Sequence, residues 1–185
     1  MRTGPTPTAD TLGSAVARDR SRLWGLCYRM TGSGADADEI VQETFVRALE
    51  KRPDASRSLT PWLFRVATNL ARDRLRVRKS RAYIGPWLPE PIETAEMAFD
   101  QPLPDARYQQ KESLTFAFLV ALEALTPKQR AVLLLRDGYE LSGRETADAV
   151  GTSEGNVKVL LHRARAAMAR HDASRTVPTP ERNAQ

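Results

Sequence analysis

Leu141–Met168 reads LSGRETADAVGTSEGNVKVLLHRARAAM, and the fold turns on how this stretch is read. It predicts two helices crossing at a tight turn. Ala147 is small enough to let the second helix cross close to the first. Gly151 takes positive φ without steric cost, and Val157 packs back into the corner. Ala-x3-Gly-x5-Val is the spacing of a helix-turn-helix, whose second helix is offered to a DNA major groove. Ser153 supplies that helix with an N-cap and Glu154 with a first-turn acid. Lys158, His162, Arg163 and Arg165 follow on or near its exposed side. An ordinary pair of core helices is the competing reading, and Thr146 stands where Ile or Leu would normally fill such a core. The remainder of the chain has to decide.

At 185 residues the chain makes one domain of ordinary size or two small ones. Hydrophobic residues, at 41%, suffice for a core, while a net charge of +5 and a pI near 9.7 favour an anionic partner. Cys27 is the single cysteine, which excludes an internal disulfide or a thiolate metal cluster; in its apolar helical setting a buried, inert thiol is expected. His162 and His171 lack ligand spacing, so neither metal nor cofactor is expected. The opening MRTGPTPTAD has no apolar core and is not a signal peptide, and Leu114–Leu125 is too short and interrupted to span a bilayer. The expectation is a soluble cytoplasmic protein with no membrane insertion.

In chain order, Leu12, Val16, Leu23, Leu26, Cys27 and Met30 recur at helical spacing until Thr31-Gly-Ser-Gly breaks the helix. That Gly-Ser-Gly follows no strand and has no P-loop lysine, so it reads as a turn with an N-cap and not as a phosphate cradle. The next helix, 35–50, opens on Asp36, Asp38 and Glu39. It shows an apolar stripe of Ile40, Val41, Phe45, Ala48 and Leu49, with Glu39, Gln42, Glu43 and Arg47 opposite. Lys51–Thr60 is a polar loop, and Pro61 opens a helix to about Arg81. This helix starts apolar and aromatic (Trp62, Leu63, Phe64, Val66). It ends basic: Arg65, Arg72, Arg74, Arg76, Arg78, Lys79 and Arg81 against one acid, Asp73. Such a run repels itself unless an anion neutralises it, and aromatics beside it suit single-stranded nucleic acid. The alternative is an aromatic core beneath a solvated basic surface.

Ile84–Glu112 is punctuated by Pro86, Pro89, Pro91, Pro102 and Pro104 and reads as a linker, with Trp87 and Leu88 available to dock on a neighbouring unit. Phe116–Leu125 is apolar and buried in expectation. Thr126-Pro127 caps and opens a helix to Asp137 with Val132, Leu133 and Leu135 inward, and Gly138 ends it. The fold expected is all-α, two small helical domains joined by a flexible proline-rich linker. Its divisions are a disordered N-terminus at 1–10, a first domain at 11–82, the linker at 83–113, a helix-turn-helix domain at 114–170 and a disordered tail at 171–185. The linker permits a compact or an open arrangement of the two domains.

Three motifs in this order, DADEIVQETFVRAL, TPWLFRVATNLARDRLR and LTPKQRAVLLLRDGYELSGRETADAVGTSEGNVKVLLHRAR, resemble the bacterial extracytoplasmic-function (ECF) sigma factors of the sigma-70 family. The resemblance implies a non-catalytic subunit that binds core RNA polymerase, through the β′ clamp helices and the β subunit, and directs it to promoter DNA. It places Glu39, Gln42 and Glu43 on the β′ clamp helices. It places Ser58, Leu59, Trp62, Asn69 and Arg72 at the melted −10 strand, where a flipped base is held, with Arg65 and Arg76 available to phosphates. It places Lys158, His162 and Arg163 on −35 bases or phosphates, with Arg165 a backbone contact and Val159 able to touch a thymine methyl.

Family members often have Thr, Ser and Arg where this chain has Asn156, Val159 and Leu160, so no −35 sequence carries over. Tyr83-Ile-Gly-Pro-Trp-Leu-Pro-Glu-Pro looks like a subgroup that continues into a further C-terminal domain. The sequence ends at Gln185, and regulation by such a domain is not expected. A separate anti-sigma factor, control by synthesis and proteolysis remain open. The rival readings are a free-standing helix-turn-helix regulator, opposed by the first two motifs, an enzyme, for which no catalytic motif is present, and a helical adaptor, which leaves the basic run unexplained.

Overall fold

A computed structural model describes residues 9–51, 58–80 and 118–175, and all regular structure among them is helical. The first unit holds α1 (Ala9–Thr31), α2 (Gly34–Lys51) and α3 (Thr60–Ser80). In α1, Leu23, Leu26, Cys27 and Met30 are completely buried, as their i, i+3, i+4, i+7 spacing requires. The turn after it is the one expected. Gly32 takes φ 71°, its N–H donates to the Tyr28 carbonyl at 2.6 Å, and the Ser33 hydroxyl accepts from Asp36 N–H at 3.3 Å. Burial pushes the Cys27 thiol well above the usual thiol range, which suits an inert core group.

In α2, Ile40, Val41 and Ala48 face inward, but Leu49 is 60% exposed. Leu49 follows Gln42 by seven residues, which on a helix returns it to within about 20° of that polar position. It therefore belongs to the outer face and not to the apolar stripe.

The second unit begins with a helical segment at 118–122. Thr126 then caps α4 (Pro127–Leu133) through a capping box with Gln129. The expected continuation to Asp137 widens into a π-turn, Leu134–Gly138, with Tyr139 N–H donating to the Leu134 carbonyl at 3.0 Å. Ser142 and Glu145 form a second capping box on α5 (Gly143–Val150), and Gly151 adopts φ 68°. A side chain at Gly151 would meet nothing, so the left-handed backbone, and not space, demands glycine there. Ser153 caps α6 (Glu154–Arg175) by accepting from Asn156 N–H at 3.2 Å. This helix overruns the expected boundary at 170, because no breaker occurs before Pro178. The linker and residues 176–185 lie outside the described residues.

Thr146 is completely buried in α5 and its hydroxyl finds no partner. A desolvated, unsatisfied hydroxyl is destabilising, so Thr146→Val, which keeps the shape, is expected to raise stability by about 1–2 kcal/mol. The urea midpoint should rise with an unchanged slope; an unchanged or lower midpoint would refute this account.

The two units share one core. Tyr139, just after the π-turn, is 2% exposed. Its ring meets Phe64 of α3 edge-on at 5.1 Å, and its hydroxyl accepts from Arg29 Nη1 of α1 at 3.1 Å. Arg130 of α4 donates through Nη1 to the Met30 carbonyl at 2.7 Å and through Nε to the Leu122 carbonyl at 3.0 Å. Burial holds Arg130 down at about 10 and also lowers Arg29. Along the same seam α3 packs against α5. The arrangement is compact, one of the two the linker permits.

Candidate nucleic-acid and partner interfaces

On α2, Glu39 and Gln42 are exposed and Glu43 is half-buried. Glu43 accepts from Arg47 Nε at 2.7 Å, one helical turn on, and Glu39 is paired with Arg74 of α3. Two exposed apolar residues, Val46 and Leu49, continue the Gln42 face toward the helix C-terminus. Sequence periodicity assigned Leu49 to the core; counting from Gln42 would have found it.

The basic run of α3 divides between two faces. Arg78 Nη2 reaches Asp36 at 2.6 Å and its Nη1 donates to the Thr31 carbonyl at 2.9 Å. Arg74 reaches both Asp36 and Glu39. Acids at the α2 N-terminus thus neutralise two of the cations, so the run is less self-repelling than its own sequence implies. The second face is a stripe of Trp62, Arg65, Asn69, Arg72 and Arg76 at alternating spacings of three and four, about 21 Å long. Arg65, Asn69 and Arg76 are exposed, and Trp62 is half-buried against the core. Among the described residues Arg76 makes a solvated pair with Asp73 at 3.2 Å. Arg72 is engaged, its Nη1 donating to the Val150 carbonyl at the end of α5 at 2.8 Å. Just before the helix, Ser58 is exposed, whereas Leu59 is 4% exposed and packs into the core. Phe64 is fully buried, so of the two aromatics only Trp62 has a face to offer.

On α6 the buried side is Val157, Ala164 and Met168. Lys158, Val159, His162 and Arg163 are exposed together on the other side, Val159 at 46%. Arg165 differs. Its Nε and Nη2 donate to the two Asp137 oxygens at 2.9 and 2.7 Å, and this hydrogen-bonded pairing raises its pKa. That fork clamps α6 to the π-turn, so Arg165 orients the helix in this state. The sequence holds no signal for it, since Asp137 and Arg165 meet only once the π-turn has formed.

Among the described residues no group of His, Cys, Asp and Glu is arranged to hold a metal ion, and no helix is long and apolar enough to cross a membrane. The features that remain are two exposed basic helical faces, one with an aromatic at its head, and an acidic and apolar face on α2.

Two family models match separate parts of the chain. Sigma-70 region 2 matches residues 15–81, and Sigma-70, region 4 matches residues 115–168. ECF RNA polymerase sigma factor SigG of Mycobacterium tuberculosis is 40% identical over 164 residues, covering 79% of this chain and 44% of the relative. ECF RNA polymerase sigma factor SigW of Bacillus subtilis is 31% identical over 164 residues, covering 86% of this chain and 87% of the relative. The crystal structure of the Mycobacterium tuberculosis extracytoplasmic function sigma factor SigJ superposes with a TM-score of 0.64 at 34% identity, covering 85% of this chain and 53% of that one. The chain thus spans about half the length of the mycobacterial relatives it matches, 44% of SigG and 47% of SigJ.

Proposed function

Because the chain belongs to the extracytoplasmic-function sigma factors of the sigma-70 family, we propose that it is a promoter-specificity subunit of RNA polymerase with a divided reading task. The observation that carries this is the α3 stripe, an aromatic followed by Arg65, Asn69, Arg72 and Arg76 on one face. A ring accepts a stacked base while guanidiniums follow the phosphates, so the stripe suits a melted −10 strand. Holding an extruded base offsets the few kcal/mol that unstacking costs, and no hydrolysis is required. The exposed face of α6, Lys158, Val159, His162 and Arg163, reads duplex −35 DNA. There a cation on guanine O6/N7 discriminates by about 1–3 kcal/mol. Glu39, Gln42 and Glu43, with Val46 and Leu49 beside them, form the polymerase-facing surface, a mixed acidic and apolar patch on a basic protein.

Occupying both DNA elements at once has a geometric requirement. They lie roughly 25 base pairs apart, about 85 Å of duplex, whereas α3 and α5 touch in this structure. The Arg72–Val150 bond and the Tyr139 contact therefore separate when both elements are engaged.

The test is reconstitution with core polymerase, followed by run-off transcription and promoter mapping. The expected result is core-dependent initiation from promoters sharing two short elements. Self-sufficient binding of duplex operators with no affinity for core polymerase would instead identify a free-standing helix-turn-helix regulator.

A further inference from the structure

Asp19 of α1 is completely buried, an expensive place for a carboxylate unless its oxygens are satisfied. They are. Oδ1 accepts from Arg18 Nε at 3.3 Å and Arg22 Nη1 at 3.2 Å, and Oδ2 accepts from Arg18 Nη2 at 2.9 Å and the Thr60 hydroxyl at 2.8 Å. Thr60 is the first residue of α3, a helix with no acid of its own in its first turn. Asp19 supplies that negative charge from a neighbouring helix and fixes where α3 begins. The two residues before Thr60 are Ser58 and Leu59, and Trp62 lies two residues after it. Arg18 Nη2 also reaches the Thr60 hydroxyl, at 3.1 Å, while the Arg18 side chain remains 57% exposed. A cation is thus held by a buried anchor at the N-terminal end of α3, the end at which the stripe begins.

We infer that Arg18 is a further contact to a phosphate of the captured strand, and that Asp19 is the positioning residue that aims it and sets the register of Ser58–Trp62. This rests on the reading of α3 as the single-strand reader. The buried carboxylate is satisfied by Arg18, Arg22 and Thr60, so its replacement changes how Arg18 and the start of α3 are held.

The test uses the chain assembled with core polymerase and a labelled single-stranded oligonucleotide carrying the mapped non-template −10 sequence, titrated at several salt concentrations. Arg18→Gln is expected to weaken binding on the order of tenfold, the loss of one charge-assisted contact. It should also flatten the slope of log affinity against log salt by about 0.7, one phosphate on a single strand. Asp19→Asn should weaken binding comparably, and the double variant should lose little more than either alone, because the two act as one unit. Thr60→Ser should behave as wild type and Thr60→Val should follow Asp19→Asn, which keeps the question answerable if Asp19→Asn folds poorly. Core affinity and duplex −35 binding should not change. An unaltered salt slope in Arg18→Gln overturns the inference. So do additive losses, or equal losses in core and −35 binding, which would mark a merely structural role. A wild-type assembly that ignores the oligonucleotide overturns the strand-reading role of α3 itself, and this inference with it.

Discussion

Tyr139→Ala is expected to lower the unfolding free energy by about 3–5 kcal/mol, the range for truncating a large buried aromatic. The side chain is 2% exposed and fills the space between the units, edge-on to Phe64 and beneath Arg29. Its removal leaves a cavity at the seam and takes from Arg29 a hydroxyl acceptor. Against a typical total of about 5–15 kcal/mol the loss is large. Tyr139→Phe separates the two contributions, since the ring stays and only the hydrogen bond to a charged donor goes, a cost of about 1.5–3 kcal/mol. Urea unfolding followed by circular dichroism measures both. Because the residue joins the units, the alanine variant should also unfold in two steps or with a reduced denaturant slope, as units that no longer melt together do. A single transition at the wild-type midpoint would show that Tyr139 does not hold the seam.

The second large effect falls on promoter opening. Trp62→Ala in the holoenzyme is expected to slow or weaken strand capture by about 5- to 150-fold, corresponding to the 1–3 kcal/mol of one stacked base. Trp62 is half-buried against the core, so the substitution also removes packing. Asn69→Ala supplies the control: Asn69 is exposed on the same stripe, and its loss removes a polar reader without opening a cavity. Permanganate footprinting of the melted region reports opening, and duplex −35 binding reports the untouched α6. Both variants opening promoter DNA at the wild-type rate would refute single-strand capture by α3.

The local geometry was legible wherever a few neighbouring residues dictate it. Ala147, Gly151 and Val157 give the crossing of α5 and α6, Thr126-Pro127 the start of α4, and Ser153 the cap of α6, because steric freedom and capping are properties of short stretches. What the sequence hid depends on partners far along the chain. Arg74 and Arg78 look unbalanced within α3, and only the approach of α2 supplies Asp36 and Glu39. Arg165 reads as one more DNA-facing cation until the π-turn presents Asp137. Leu59 and Leu49 exchange expected environments: Leu59 packs inward just before α3, while Leu49, 60% exposed, falls on the Gln42 face of α2. Asp19 gave no signal, since a lone acid on an amphipathic helix ordinarily points to solvent. The face residues Lys158, Val159, His162 and Arg163 are exposed together as the helical period demands, while their assignment to −35 DNA remains the reading proposed above.

The seam also has a hydration balance. Surfaces that part along purely apolar lines pay for every square ångström they show to water. Here the separating faces carry Arg29 and Arg130, both dried by burial, the second held at about 10. On parting, these guanidiniums lose the Tyr139 hydroxyl and the Met30 carbonyl and regain water, which offsets part of the penalty for uncovering Tyr139 and Phe64. The balance between the closed and open states is tipped by a binding partner whose preference between them is about 5 kcal/mol, enough to move the population from almost all closed to almost all open. Under the function proposed above, core polymerase on the α2 face and promoter DNA on the second unit are partners of that kind.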